Sequence, residues 1–117
     1  MDTTQIIWTP ITRADLATIA EQQFGDMVKA VVDIQRSVMA IGAELHSDEE
    51  STLLEDGSSQ SALWGINLYP SEEGEAFVEF DSMINVRPSQ GNRSRSVENE
   101  DLRRQIRAVV SHLVTDA

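Results

Sequence analysis

The sequence predicts an α+β domain: a mainly antiparallel sheet of four to five strands, with three helices packed mostly on one face. Helix signals mark residues 12–24, 48–56 and 100–115, where capping residues precede apolar positions at helical spacing. The runs between them are short, rich in β-branched residues and bounded by turn formers, which is the pattern of strands. Helices with a single apolar stripe need a sheet face to cover. The 117 residues are 40% apolar, dispersed along the chain, and suit a single globular domain over 1–117.

The first run, "QIIWTPI", is broken by Pro10 and suits an edge strand. In the next, Thr12 is placed to cap a helix, with Asp15 three residues on, Ile11 and Leu16 forming a hydrophobic staple, and Gly25 near the stop. Leu16, Ile19, Ala20 and Phe24 form its stripe. Residues 27–43 fit either a helix or two strands. β-branched content and Gly42, which weakens a helix interior by about 1 kcal/mol, favour two strands joined around Gln35 to Ser37. "HSDEESTLLEDGS" carries a capping box, with Ser47 as N-cap, Glu50 at the third helical position and Gly57 at the stop. "SALWGINLYP" and "AFVEFDSMINVRP" read as a hairpin joined by "SEEGE", and Asn99 caps the last helix. Trp64 falls on the buried hairpin face, and Trp8 reads as a core or interface aromatic.

Composition bounds function more than it specifies it. The formal net charge of −11 repels polyanions, so no duplex DNA partner is expected. No apolar run approaches a membrane span and no leader pattern opens the chain, so a cytoplasmic, soluble protein is expected, with no membrane partner. Without cysteine there is no disulfide, thiolate metal site or cysteine nucleophile. Charge is uneven: residues 44–81 hold eleven acids and no Lys or Arg, whereas 87–107 hold six of the nine basic residues.

That asymmetry draws attention to "INVRPSQGNRSRS". If apolar faces stay together in the hairpin, Val78, Phe80, Ile84 and Val86 lie on one side and Glu79, Asp81, Asn85 and Arg87 on the other. Asn67 then stands opposite Glu79, and Gly65 opposite Asp81. Asn85, Arg87, Asn92, Arg93 and Arg95 gather where the loop meets the sheet. Guanidinium forks suit phosphate or carboxylate, and the last helix can add backbone donors, so a small anionic ligand is the leading partner. The competing reading pairs these arginines with nearby acids and gives the asparagines to turn backbone.

A second constellation, Glu44, His46 and Asp48, would share a face if the strand continued, and two carboxylates with an imidazole can bind a divalent metal. Asp33 could supply a further ligand. The capping box explains Asp48 without a metal, which is therefore not the favoured cofactor. No nucleophile elbow or phosphate-binding glycine loop occurs.

"GDMVKAVVDIQR", "GAELHSDEE" through "LLEDGS", and "LWGINLYP" followed by "FDSMINVRPSQGNRS" together resemble an uncharacterised bacterial and archaeal family, of the domain of unknown function 5674 type. The resemblance spans roughly residues 5 to 115 and implies a family label with no mechanism. Three functions follow as expectations: binding of a small anionic ligand at the Arg/Asn loop, a homo-oligomeric interaction module such as a homodimer, or a metal-dependent hydrolase on Glu44, His46 and Asp48.

Overall fold

A computed structural model describes residues 3–116. The chain runs β1 (Gln5–Ile7), β2 (Ile11–Thr12), α1 (Arg13–Gln22), β3 (Val28–Asp33), β4 (Val38–Ile41), α2 (His46–Glu55), β5 (Leu63–Leu68), β6 (Val78–Glu79), α3 (Glu100–Leu113) and β7 (Val114–Thr115). Five strands form an antiparallel sheet in the order β1-β4-β3-β5-β6, and β2 pairs in parallel with β7. The fold is α+β. No helix among the described residues is long and apolar enough to cross a membrane.

Local chemistry explains most of the element boundaries. Thr12 Oγ1 accepts from the Asp15 amide at 3.0 Å, and Asn99 Oδ1 accepts from Asp101 and Leu102, so α1 and α3 begin where their caps stand. Residues 27–43 form the β3–β4 hairpin. Its turn holds because Asp33 Oδ1 accepts from the Gln35 and Arg36 amides at 2.8 and 2.9 Å, with Ser37 at φ 57°. Phe24, expected on the α1 stripe, lies beyond the helix end and is 40% exposed. Trp8 stands outside the core, 54% exposed, with the Arg36 guanidinium 5.0 Å from its ring centre.

α2 begins two residues earlier than its capping box suggests. His46 is its first residue, Leu45 holds the cap position without a side-chain bond, and Gly57 ends it at φ +106°. This start follows from packing: His46, Glu49 and Leu53, spaced three and four apart, are the residues that α2 buries.

The sheet alternation sets two unequal cores. One face, with Val28, Ala30, Val32, Met39, Ile41, Trp64, Ile66 and Leu68, joins Leu16 and Ala20 of α1 and Ile106, Val109, Val110 and Leu113 of α3. The other places Val31, Val38, Ala40 and Leu63 against Leu53 of α2. Two helices thus share one face, and α2 covers part of the opposite one. That second face also carries Lys29, Asp33, Asn67 and Glu79, whose alternation puts them there.

The β5–β6 hairpin pairs Asn67 with Glu79, as burial of the apolar faces requires. The strand expected to run on to Arg87 stops after Glu79. Phe80 still joins the large core, but the chain then turns at Met83–Asn85 and Pro88–Gln90, Ile84 packs with the α2-side core and Val86 is 37% exposed. Gly65 permits this crossing. A Cβ there would lie 2.6 Å from Ser82 Cβ, so only glycine lets the turn sit on β5.

Glu49 is buried without exposure. Its Oε2 accepts from the Ala43 amide at 3.1 Å, while Oε1 has no partner among the described residues. Burial pushes its carboxyl up to about 10, against the Ala43 bond and Lys29, so it is neutral at pH 7. Between its ordinary value of 4.5 and about 10 the folded chain holds a proton that the unfolded chain releases. Stability from this group is therefore full below pH 4.5 and falls as pH rises. Glu49→Gln should leave the melting temperature nearly unchanged at pH 5 and raise it at pH 8, by roughly 4 °C per kcal/mol in a domain of this size. Calorimetry across that range checks the slope.

Candidate functional site

The Arg/Asn loop brings its residues together, but for most of them the partner is the chain's own backbone. Asn85 Oδ1 accepts from the Gly65 amide at 2.8 Å, and Nδ2 donates to Gly65 O at 2.9 Å and Arg95 O at 3.0 Å. A side-chain amide here does what a neighbouring strand would do for β5. Asn92 Nδ2 donates to the carbonyls of Asn85, Ser94 and Ser96, and its Oδ1 accepts from the Glu98 amide. Both asparagines are buried.

Arg87 is buried as well. Nε donates to Ile84 O at 2.9 Å, Nη1 to Gln60 O at 3.0 Å and Nη2 to Leu63 O, with Glu50 at 3.6 Å and the Trp64 ring centre 4.6 Å below. Burial lowers its pKa, and Glu50 acts in the opposite sense. Of the three loop arginines, Arg93 and Arg95 are exposed. Arg93 is held through its main chain, whose amide donates to Glu98 Oε2, and Arg95 Nε donates to Asp81 Oδ1 at 2.6 Å. Bonds from Arg93, Ser94 and the Ser94 hydroxyl lower the Glu98 pKa.

Glu44, His46 and Asp48 do not converge. Because α2 starts at His46, the helix turns the imidazole toward the sheet, while Glu44 and Asp48 line a cleft of about 840 Å³ beside Gln5, Gln23, Gly42 and Glu55. Asp33 is engaged elsewhere, by its own turn and by the Ser58 hydroxyl at 2.6 Å. Among the described residues no three His, Asp or Glu side chains are grouped to hold a metal ion. The cleft wall has three carboxylates and no Lys or Arg, which disfavours an anion there.

His46 instead joins the polar face of the hairpin. Its Nε2 lies 2.8 Å from Ile66 O. A carbonyl oxygen only accepts, so Nε2 carries the proton and Nδ1 of the neutral ring keeps its lone pair. Burial lowers the His46 pKa; the Ile66 bond and Asp81 oppose this, and Lys29 and Arg95 reinforce it. Next along β5, Asn67 is 5% exposed. Its Nδ2 donates to Glu79 Oε1 at 2.8 Å and Asp81 O at 3.3 Å, while Oδ1 is buried and has no partner among the described residues. Tyr69 donates to the same Glu79 oxygen at 3.1 Å, and burial followed by that bond raises the phenol pKa. Lys29 faces Asn67 from β3. Among the described residues its ammonium is in no ion pair, and it stands 5.1 Å from the centre of the Phe24 ring.

One residue from each sequence-derived set, His46 and Arg95, therefore acts at the same place. Lys29 was absent from both sets. Its only sequence signal was a lone cation on the polar alternation of a strand whose other charged residue is Asp33, which becomes meaningful once β3 is known to lie beside β5.

The family model described as "Protein of unknown function (DUF5674)" matches residues 5–113. Neither the curated proteins nor the solved structures contain a significant match to the chain.

The loop bonds separate structural from exposed residues by their effect on stability. Asn85→Ala leaves the Gly65 amide and carbonyl buried and unpaired, and should cost roughly 2–4 kcal/mol. Arg95→Ala removes a half-exposed ion pair and should cost less than about 1 kcal/mol. Urea denaturation of the two variants measures the difference.

Proposed function

The chain belongs to the DUF5674 family of proteins of unknown function, and on that footing we propose that it binds a small ligand bearing an anionic group on the polar face of β3, β5 and β6. The observation that carries this reading is that Lys29, in no ion pair among the described residues, is the direct β3 partner of Asn67, whose Oδ1 is buried with no hydrogen-bond partner among the described residues. A buried acceptor without a donor costs about 1–3 kcal/mol, and a ligand that supplies the donor recovers it. Arg95 stands at the edge of the same face, tied to Asp81 through Nε alone among its nitrogens. Burial lowers the His46 pKa, and Lys29 and Arg95 add to that, so both cations lie within electrostatic reach of the ring.

Of the loop residues, Arg93 and Arg95 remain available to an anion, since Asn85, Arg87 and Asn92 serve the backbone. Binding is favoured over turnover because His46, the strongest candidate base, has neither a hydroxyl nor a carboxylate hydrogen-bonded to it among the described residues.

A low-salt thermal-shift series with phosphate, sulfate, nucleotides and simple carboxylates tests the reading on the wild type, Lys29→Met and Arg95→Ala. At a hundred times its Kd a ligand stabilises the native state by about 2.7 kcal/mol. One anion class should raise the wild-type melting temperature, with the shift lost in Lys29→Met and reduced in Arg95→Ala. A flat wild-type response to every anion overturns the proposal.

A further inference from the structure

Lys29, Asn67 and Glu79 stand in one row across three adjacent strands, because Asn67 is the direct partner of both neighbours. At about 4.8 Å per strand spacing, the two charged residues are anchored roughly 10 Å apart with the asparagine between them. The positive end is unpaired, as described above. At the negative end the bonds from Asn67 Nδ2 and the Tyr69 hydroxyl both go to Glu79 Oε1, and among the described residues none reaches Oε2. The centre is Asn67 Oδ1, which has no partner among the described residues, in a residue only 5% exposed.

A ligand that is only anionic satisfies Lys29 but sets negative charge against Glu79 and brings no donor to Asn67. A ligand that is only cationic satisfies those two and is repelled by Lys29. Both ends and the orphan acceptor are met together by one molecule carrying an anionic and a donor-bearing cationic group a few ångströms apart. Arg95, tied to Asp81 through Nε, stands beside the row with an acid next to it, so the charges of the row itself set this preference.

We propose that the ligand of this site is a small zwitterion of the α-amino acid class, its ammonium donating to Asn67 Oδ1 and Glu79 and its carboxylate paired with Lys29. The inference rests on the anion-binding reading above and narrows it. Tyr69 then acts as a positioning residue: its hydroxyl holds Glu79 Oε1 and leaves Oε2 for the ammonium.

The test is calorimetric titration at low salt of wild type, Glu79→Gln and Tyr69→Phe with the common L-amino acids. For the tightest binder, the analogue lacking its amine and the analogue lacking its carboxylate are titrated in turn. Glu79→Gln retains an acceptor for Asn67 Nδ2 and so spares the hairpin. At least one amino acid is expected to bind roughly tenfold or more tightly than either analogue, as charge-assisted bonds at both ends require. That ratio should fall toward one for the deaminated analogue in Glu79→Gln, and partway in Tyr69→Phe. If the deaminated carboxylate binds the wild type as tightly as the amino acid, the zwitterion is overturned and anion binding stands. If neither amino acids nor carboxylates and phosphates bind, both fall.

Discussion

The structure turns on how the outer edge of β5 is completed. β6 pairs only at Asn67 and Leu68, after which the β5 backbone still needs partners at Gly65. The Asn85 amide supplies both a donor and an acceptor to that one residue. An unpaired buried peptide group costs about as much as a lost hydrogen bond, so the loop must return to this point. Gly65 has no Cβ to obstruct it. Much of the second face follows from this closure, including the position of Arg95 beside Asp81 and the use of Arg87 to tie Gln60, Leu63 and Ile84 together.

The same closure divides the polar face. One end is covered by α2 and the returning loop, with Glu49 held neutral by its burial. The other end keeps Lys29, Asn67, Tyr69 and Glu79 with polar groups that the chain does not fully satisfy. Folding energy explains the Asn85, Asn92 and Arg87 bonds, since each is matched to a main-chain group. Orphaned atoms occur at both ends, Glu49 Oε1 among them, but Asn67 Oδ1 is the one that stands in a row between two opposite charges. That contrast separates the scaffold from the candidate site.

Two local features of the chain misdirect a reader of its sequence. The alternation of Val78, Phe80, Ile84 and Val86 continues past the point where the strand ends, because apolar residues of the following turn pack on the opposite core. The capping box at Ser47 suits a helix start, yet the helix begins at His46, whose ring is buried and bonded to Ile66 O at 2.8 Å. That early start is also what parts His46 from Glu44 and Asp48.

What the sequence by itself determined is the part governed by neighbours within a few residues. The α+β class and the Thr12 and Asn99 caps follow from periodicity and capping. For residues 27–43 periodicity left helix and hairpin open and β-branched content only favoured the β3–β4 hairpin, and the Asn67–Glu79 register followed on condition that apolar faces stay together. Tertiary structure alone decided which polar groups remain for a ligand. Asn85, Arg87 and Asn92 look alike in sequence whether they serve a ligand or a carbonyl, and only the distant backbone they meet distinguishes the two. Lys29 gained its place because β3 lies beside β5, a pairing between residues 38 apart that no local pattern records.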